Sequence, residues 1–426
     1  MIEQIGVVVV NHNGGDLTLA CLHTVLATSW PPDQLQVVLV DNGSTDGIAG
    51  RVRRELPAVE VRELGRNAGF GAACNVGIAS LTTVDAIALV NNDATVESDW
   101  LAPLVSALDG DPSIGAACPK ILLADRYRSI TLRCQTSTVS GDPRPRGVLI
   151  TGARVDDRDA WPRTRLAYGF WGTEAATDDL RAQWSRDVAT VLVPGEGTRV
   201  DLLLSATNDT SVELSAAGVS TVHRVTTAPS WCRVEATGPP ADVINNVGTI
   251  VGADGYGADR GYLEPDDGRY DEATDVDAWC GGAVLLRRSY LDDVGPFDER
   301  LFVYYEDVDL SQRGAAHEWR YRYVPHSEVR HVHNASSGHG SAFKQWHDDR
   351  NHLVVLARHA PPAETLRASA HFLVTTGSYV GRDLVRPVLA ARRPRPRIVG
   401  QRLSAFASFV RLLPATLQAR RHDELS

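Results

Sequence analysis

Four short apolar runs set most of what this chain can fold into. Ile5-Gly6-Val7-Val8-Val9-Val10, Leu35-Gln36-Val37-Val38-Leu39-Val40 and Ala86-Ile87-Ala88-Leu89-Val90 are unbroken, and Val59-Glu60-Val61-Arg62-Glu63-Leu64 lies between the last two. Runs this short, rich in β-branched residues, mark strands, and the unbroken ones mark strands buried on both faces. Helical patterns alternate with them, the first over residues 17–27. Strands alternating with helices predict a parallel sheet covered by helices on both sides.

Polar clusters follow three of these strands: Asn11-His12-Asn13-Gly14-Gly15-Asp16, Asp41-Asn42-Gly43-Ser44-Thr45-Asp46 and Asn91-Asn92-Asp93. Ligands of open α/β sheets bind beyond the carboxyl ends of the strands. One Asp-Asn-Gly-Ser alone reads as a turn; three coincident loops point to a site. Gly65-Arg66-Asn67-Ala68-Gly69-Phe70-Gly71-Ala72-Ala73-Cys74-Asn75 is not a dinucleotide fingerprint. Cys74 stands where the third glycine belongs, and the stretch does not follow the first strand. A glycine-rich turn here instead lets the backbone around Arg66, Asn67 and Gly69 approach a nucleotide sugar.

A second group of candidates lies late in the chain. In Phe302-Val303-Tyr304-Tyr305-Glu306-Asp307-Val308-Asp309-Leu310, three carboxylates open a predicted helix. Acids there also suit the positive end of a helix dipole. That dipole lowers a carboxylate's pKa, while burial and like-charged neighbours raise it, and sequence does not weigh the two. Arg260, in a Gly- and Asp-rich loop, is either a planar fork for phosphate oxygens or a solvated side chain. His331 and His333 alternate in an extended segment, which predicts that they point to opposite sides.

In this order, Val-Val-Asn-His-Asn, Val-Asp-Asn-Gly-Ser-Thr-Asp, Gly-Arg-Asn-Ala-Gly-Phe-Gly and Val-Asn-Asn-Asp-Ala resemble the nucleotide-binding half of family 2 glycosyltransferases with a GT-A fold. The later Phe-Asp-Glu followed by Glu-Asp-Val-Asp-Leu resembles the same family in its acceptor and catalytic half, and the rhamnosyltransferase-like branch is the most similar. The resemblance implies that the first loop, with Asn11 and Asn13, and the loop of Asp41, Asn42, Gly43 and Ser44 hold the base and ribose. Asn91-Asn92-Asp93 corresponds to the family's D-x-D metal motif, with Asn91 in place of the first Asp, so Asp93 is its sole carboxylate. His331 fits the family's metal-binding histidine, just before Ser336-Ser337-Gly338, better than His333. Asp307 matches the general base of an inverting transfer, with Glu306 beside it, and Gly281-Gly282-Ala283 lines the acceptor side. Departure of a nucleoside diphosphate builds negative charge that a hard cation, Mn²⁺ or Mg²⁺, stabilises. The implied donor is dTDP-rhamnose first and a UDP-sugar second. The implied acceptor is a cell-surface glycan or a polyprenyl-linked glycan. A non-catalytic sugar-binding protein on the same fold and a nucleotidyltransferase are the rival readings.

The 426 residues allow two or three domains. The expected segments are 1–124, the nucleotide-sugar half; 125–243, an inserted β-rich module of short strands; 244–345, the acceptor and catalytic half; and 346–426, an Arg-rich helical tail. Trp161, Trp171, Trp184 and Trp231 in the insert are either sugar-stacking platforms or core residues. A net charge of −10 argues against general nucleic-acid binding. From Pro361 onward eleven Arg stand against four acids, so the tail is +7 and the remainder −17. Arginines interleaved with Leu, Val and Phe suggest docking on an anionic membrane surface; packing on the catalytic domain, or a homo-oligomer contact, is the alternative. Six scattered cysteines without a C-x-x-C pair fit reduced thiols. No signal peptide is read at the N-terminus, and the expected location is cytoplasmic, peripheral at the inner face of the plasma membrane.

Overall fold

The computed structural model describes every residue except 140–141, 173–180, 253, 334–340, 390, 392, 395 and 424–426, and omits the side chains of 139, 142 and 143. The four runs are strands β1 (Ile5–Asn11), β2 (Leu35–Asp41), β3 (Val59–Glu63) and β4 (Ala86–Asn91). They lie in the order β3-β2-β1-β4, all parallel, with β1 buried along its whole length. Helices α1 (Asp16–Leu26), α2 (Ile48–Glu55) and α3 (Phe70–Ser80) connect them. Gly77 lets α3 press onto the sheet, since a Cβ there would meet Val8 at 2.4 Å.

Beyond β4 the direction reverses. After the short β5 (Ala94–Val96) and α4 (Leu101–Gly110), β6 (Ile114–Leu123) runs at the far side of a later strand, Ala283–Arg287. That later strand is antiparallel to both β4 and β6, and β6 pairs in parallel with Arg320–His331. This is the mixed, mostly parallel sheet of the GT-A arrangement. Its register sets the ligand rim. Asn11 stands opposite Asp41 and Val10 opposite Asn91, while His331 stands opposite Ala94 and so beside Asp93.

A β-rich module interrupts the sheet's chain between β6 and Ile244–Asn246. Its entry and exit are adjacent, because Ile244 pairs with Leu122 and Leu123 N–H donates to the Val243 carbonyl. Such an insertion leaves the host strands undisturbed. Its strands are antiparallel, from Tyr127–Cys134 to Ser230–Glu235, around a core that includes Ile130, Leu132, Val191, Leu202 and Val234. The sheet curls back on itself, with Thr221 Oγ1 and His223 Nε2 both on the Arg233 carbonyl (2.8 and 2.7 Å). Trp161 belongs to the module's core. Each of the four tryptophans lies under a guanidinium: Arg181 over Trp161, Arg186 over Trp171, Arg146 over Trp184, and Arg154 over Trp231. Cation–π contact already occupies one face of each ring, which disfavours the stacking-platform reading.

After α5 (Arg288–Val294), α6 (Glu306–Ala316) opens with the three acids. Asp309 does not face the ligand. It accepts from Arg313 (3.1 Å), Arg358 (3.0 Å) and His359 (2.9 Å), all behind α6. Burial alone would raise its carboxyl, but the Arg313 charge, with the His359 hydrogen bond and Arg358 behind it, holds it far below the ordinary carboxylate range. Arg358 and His359 end α7 (Ala342–His359), which precedes α8 (Pro362–Val380) and the C-terminal helix Arg397–Asp423. Arg358 also pairs with Asp423 at 2.8 Å, tying the last helix to α6 through Asp309. Leu353, Val354 and Val355 of α7 pack with Leu301, Val308, Phe372 and Phe409. The tail therefore does pack on the catalytic domain, through one face.

Arg358→Met removes the cation shared by buried Asp309 and half-buried Asp423. Breaking a buried pair by deleting one partner costs about 3–5 kcal/mol, so chemical denaturation should show a loss in that range.

Candidate active site

The rim of the sheet opens into a cleft of about 770 Å³. Its first wall is a buried amide network built around the first two polar loops. Asn11 Nδ2 donates to Asp41 Oδ1 (3.1 Å) and Ser44 Oγ (2.8 Å). Asn11 Oδ1 accepts from Asn92 Nδ2 (2.9 Å) and Thr18 Oγ1 (2.6 Å). Asn42 bridges to the glycine-rich turn, donating to Asn67 Oδ1 (3.0 Å) and accepting from Ala68 N–H (2.7 Å). Gly43 is required there: its φ is 73°, and a Cβ would meet the Arg66 backbone at 2.3 Å. Asn13 Oδ1 accepts from Thr45 N–H at 2.8 Å, locking the two loops together.

The opposite wall carries Asp93 and His331. Their Oδ1 and Nε2 are 2.8 Å apart, and Asn245 Oδ1 holds the other imidazole nitrogen at 2.8 Å. Burial pushes the Asp93 carboxyl up, but the charge and hydrogen bond of His331 outweigh it and leave it below its usual value. His331 and His333 do not face opposite sides as their alternation predicts. The strand ends at His331, and His333 takes a left-handed backbone (φ 59°), so both rings line the cleft with centroids 5.7 Å apart. The Ser336-Ser337-Gly338 landmark lies outside the described residues.

The third wall is the loop that delivers Glu306 and Asp307. Phe302, Tyr304 and Tyr305 all have φ near +70° (67°, 66° and 70°), a strained state for such side chains. Asn351, fully buried on α7, holds this backbone by donating to the carbonyls of Leu301 (2.9 Å), Val303 (2.9 Å) and Tyr304 (2.7 Å). Phe70 N–H at the start of α3 takes the Phe302 carbonyl at 2.6 Å. Gly69 must be glycine for this approach, because a Cβ would lie 2.5 Å from that oxygen.

Asp307 Oδ2 accepts from Gly281 N–H (2.9 Å) and Oδ1 from Val308 N–H (2.8 Å). Burial raises its pKa, and these amides only partly offset it. Burial, then the Asp307 charge, raises Glu306 as well, and its buried Oε2 has no hydrogen-bond partner among the described residues. Burial therefore outweighs the helix dipole at both acids. Gly281-Gly282 joins the walls: Gly281 holds Asp307, and a Cβ on Gly282 would sit 3.7 Å from the His331 ring.

Asn42, Asn67, Gly69, Asn91, Asn92, Asp93, Glu306, Asp307, His331 and His333 thus line one cleft. Asn11 and Asp41 lie buried behind its wall, and Asn13, Gly43 and Ser44 shape the loops that support it. Arg66 is exposed off the cleft. Arg260 does not serve as a phosphate fork here: it donates to the Val247 carbonyl at 3.2 Å and lies over Tyr270. Sequence reading missed Asn245 and Asn351, whose amides act by position and leave no motif. It also missed Lys344, which lines the cleft and sits 3.1 Å from Asp348.

Among the described residues no group of three or more His, Cys, Asp or Glu is disposed around a metal position. Among the described residues, Asp93 and His331 stand side by side in the cleft, with the His333 ring beyond them. An oxygen and a nitrogen 2.8 Å apart suit adjacent positions on one octahedral ion with bonds of about 2.1 Å. Asn245 fixes the imidazole as outer partners of metal-binding histidines do.

Residues 6–136 match the glycosyl transferase family 2 model. Over those residues the chain is similar to family 2 glycosyltransferases. An N-acetylglucosaminyl-diphospho-decaprenol L-rhamnosyltransferase of Mycobacterium tuberculosis, from strains CDC 1551 and H37Rv, is 41% identical over 98 residues. That match covers 21% of this chain, and the chain spans about a third (32%) of the length of these curated relatives. Among solved structures, GalNAc-T7 with UDP, GalNAc and Mn²⁺ aligns with a TM-score of 0.45 at 15% identity, over 84% of this chain and 48% of that one. The mannosyltransferase PcManGT from Pyrobaculum calidifontis, with GDP-Man and Mn²⁺, aligns with a TM-score of 0.43 at 15% identity, over 100% and 88%.

Because Glu306 binds its proton more tightly folded than unfolded, deprotonation opposes folding. Wild-type stability should fall as pH rises from roughly 4.3 toward the raised folded value. Glu306→Gln should flatten that decline and melt higher at alkaline pH, as read by thermal unfolding across pH.

Proposed function

We propose that this protein is a glycosyltransferase that moves a sugar, with inversion, from a nucleoside diphosphate to a hydroxyl of a glycan acceptor. One observation carries the reading: Asp307 and the Asp93–His331 pair flank the same Gly281-Gly282 dipeptide within one cleft. Asp307, raised above an ordinary Asp and anchored by two backbone amides, is suited to take the acceptor proton as the oxygen attacks. Asp93 and His331 would hold Mn²⁺ or Mg²⁺. When bound, that ion supplies neutralisation of the departing diphosphate. The Asn11–Asp41–Asn42 network fixes the loops that meet base and ribose.

The relative named above is an L-rhamnosyltransferase of a diphospho-decaprenol-linked sugar. It supports dTDP-rhamnose before a UDP-sugar as donor, and a polyprenyl-linked glycan as acceptor.

Asp307→Asn removes the base without changing shape. Transfer, followed by nucleoside diphosphate release over a panel of nucleotide sugars, should fall by about 10²–10⁴-fold, with donor affinity retained. A rate within a few fold of wild type would defeat the assignment.

A further inference from the structure

The rod that follows α7 has one face that no other part of the described chain covers. α8 continues through a π-turn (Gly381–Val385) into Arg386–Leu389, giving a helix from 362 to 389 roughly 40 Å long. Its inner side is fully engaged. Phe372 stacks on Phe406 with centroids 5.9 Å apart, and Thr376 Oγ1 accepts from Arg402 Nε at 3.0 Å. The opposite side exposes Leu366, Leu373, Val374, Val385, Val388 and Leu389, with Leu366 72%, Val374 74% and Leu389 81% accessible. Spacings of seven or eight and of three or four residues keep most of these on one stripe.

Arginine outnumbers acid on and beyond the rod. The rod's two carboxylates are already paired to arginines of the same helix, Glu364 with Arg367 (2.9 Å) and Asp383 with Arg382 (2.7 Å), and Asp383 is buried. Exposed Arg386, Arg393 and Arg397 lie at its far end and just beyond. The segment from Pro361 carries +7 in a chain of −10.

An apolar stripe of this length, with surplus arginine and no unpaired acid, fits few occupants. A second copy whose rod ran parallel to this one would set the same arginines against one another. No described helix is long and apolar enough to cross a membrane. A helix that lies in the headgroup plane satisfies both features, burying its apolar face while arginines meet lipid phosphates. We propose that the outer face of the 362–389 helix docks the protein on an anionic lipid surface. Docking through this face involves neither the donor nor the chemistry of the cleft, and it stands or falls apart from the proposed activity.

Sedimentation of the full chain with phosphatidylcholine vesicles, with and without phosphatidylglycerol, tests this. The wild type should pellet with the anionic vesicles, at least about tenfold more strongly than with pure phosphatidylcholine, and the binding should weaken with salt. Val374→Asp with Leu389→Asp, both outward-facing, should reduce that binding by about tenfold or more, with an unchanged circular dichroism spectrum. Arg393→Glu with Arg397→Glu should reduce it without touching the stripe. Failure to pellet with anionic vesicles, equal binding to neutral ones, or binding unaffected by the stripe variant would each overturn the proposal. So would a wild-type dimer in solution that the stripe variant dissolves, since the face would then belong to a second copy.

Discussion

Three hydrogen bonds from one buried amide hold the site together. Asn351 donates to three carbonyls of a loop in which Phe302, Tyr304 and Tyr305 are left-handed. Each such residue costs of order 1–3 kcal/mol and persists only where its surroundings over-determine it. Here the determination comes from two distant parts of the chain, α7 on one side and Phe70 N–H on the other. The consequence is geometric: the chain enters α6 so that Glu306 and Asp307 face the cleft and Asp309 faces away. Helix α3 and the C-terminal helices thus meet at this strained loop.

That loop also explains why three acids in four residues have opposite electrostatics. Asp309 meets Arg313, Arg358 and His359 and is held ionised. Glu306 and Asp307 meet buried surface and each other, and are pushed toward the proton-bound form. One group stabilises the fold while its neighbours oppose it. An unpartnered Glu306 Oε2 inside a cleft is the kind of local deficit that functional sites retain.

Much of this was legible in the sequence. The unbroken β-branched runs gave the buried strands, and the polar clusters after β1, β2 and β4 gave the rim. The match around residues 302–310 pointed to the turn that carries Asp307. Other features lay beyond it. Periodicity is blind to strand direction, so Ala283–Arg287 reads as another buried strand and not as the antiparallel one between β4 and β6. Alternation failed at His333 because the strand stops two residues earlier. Arg260 looked like a phosphate fork, yet Tyr270 and the Val247 carbonyl take it instead. Asn245 and Asn351 work through backbone and imidazole geometry that only tertiary structure creates.

The central claim is that residues from opposite ends of the chain make one binding site. Electron paramagnetic resonance of Mn²⁺ titrated into the protein with dTDP tests it most directly. Asp93→Ala and His331→Ala should each weaken nucleotide-dependent Mn²⁺ binding by about tenfold or more. The double variant should lose less than the sum of the two, as directly coupled partners do. Full Mn²⁺ binding in His331→Ala, or strictly additive losses, would contradict the account.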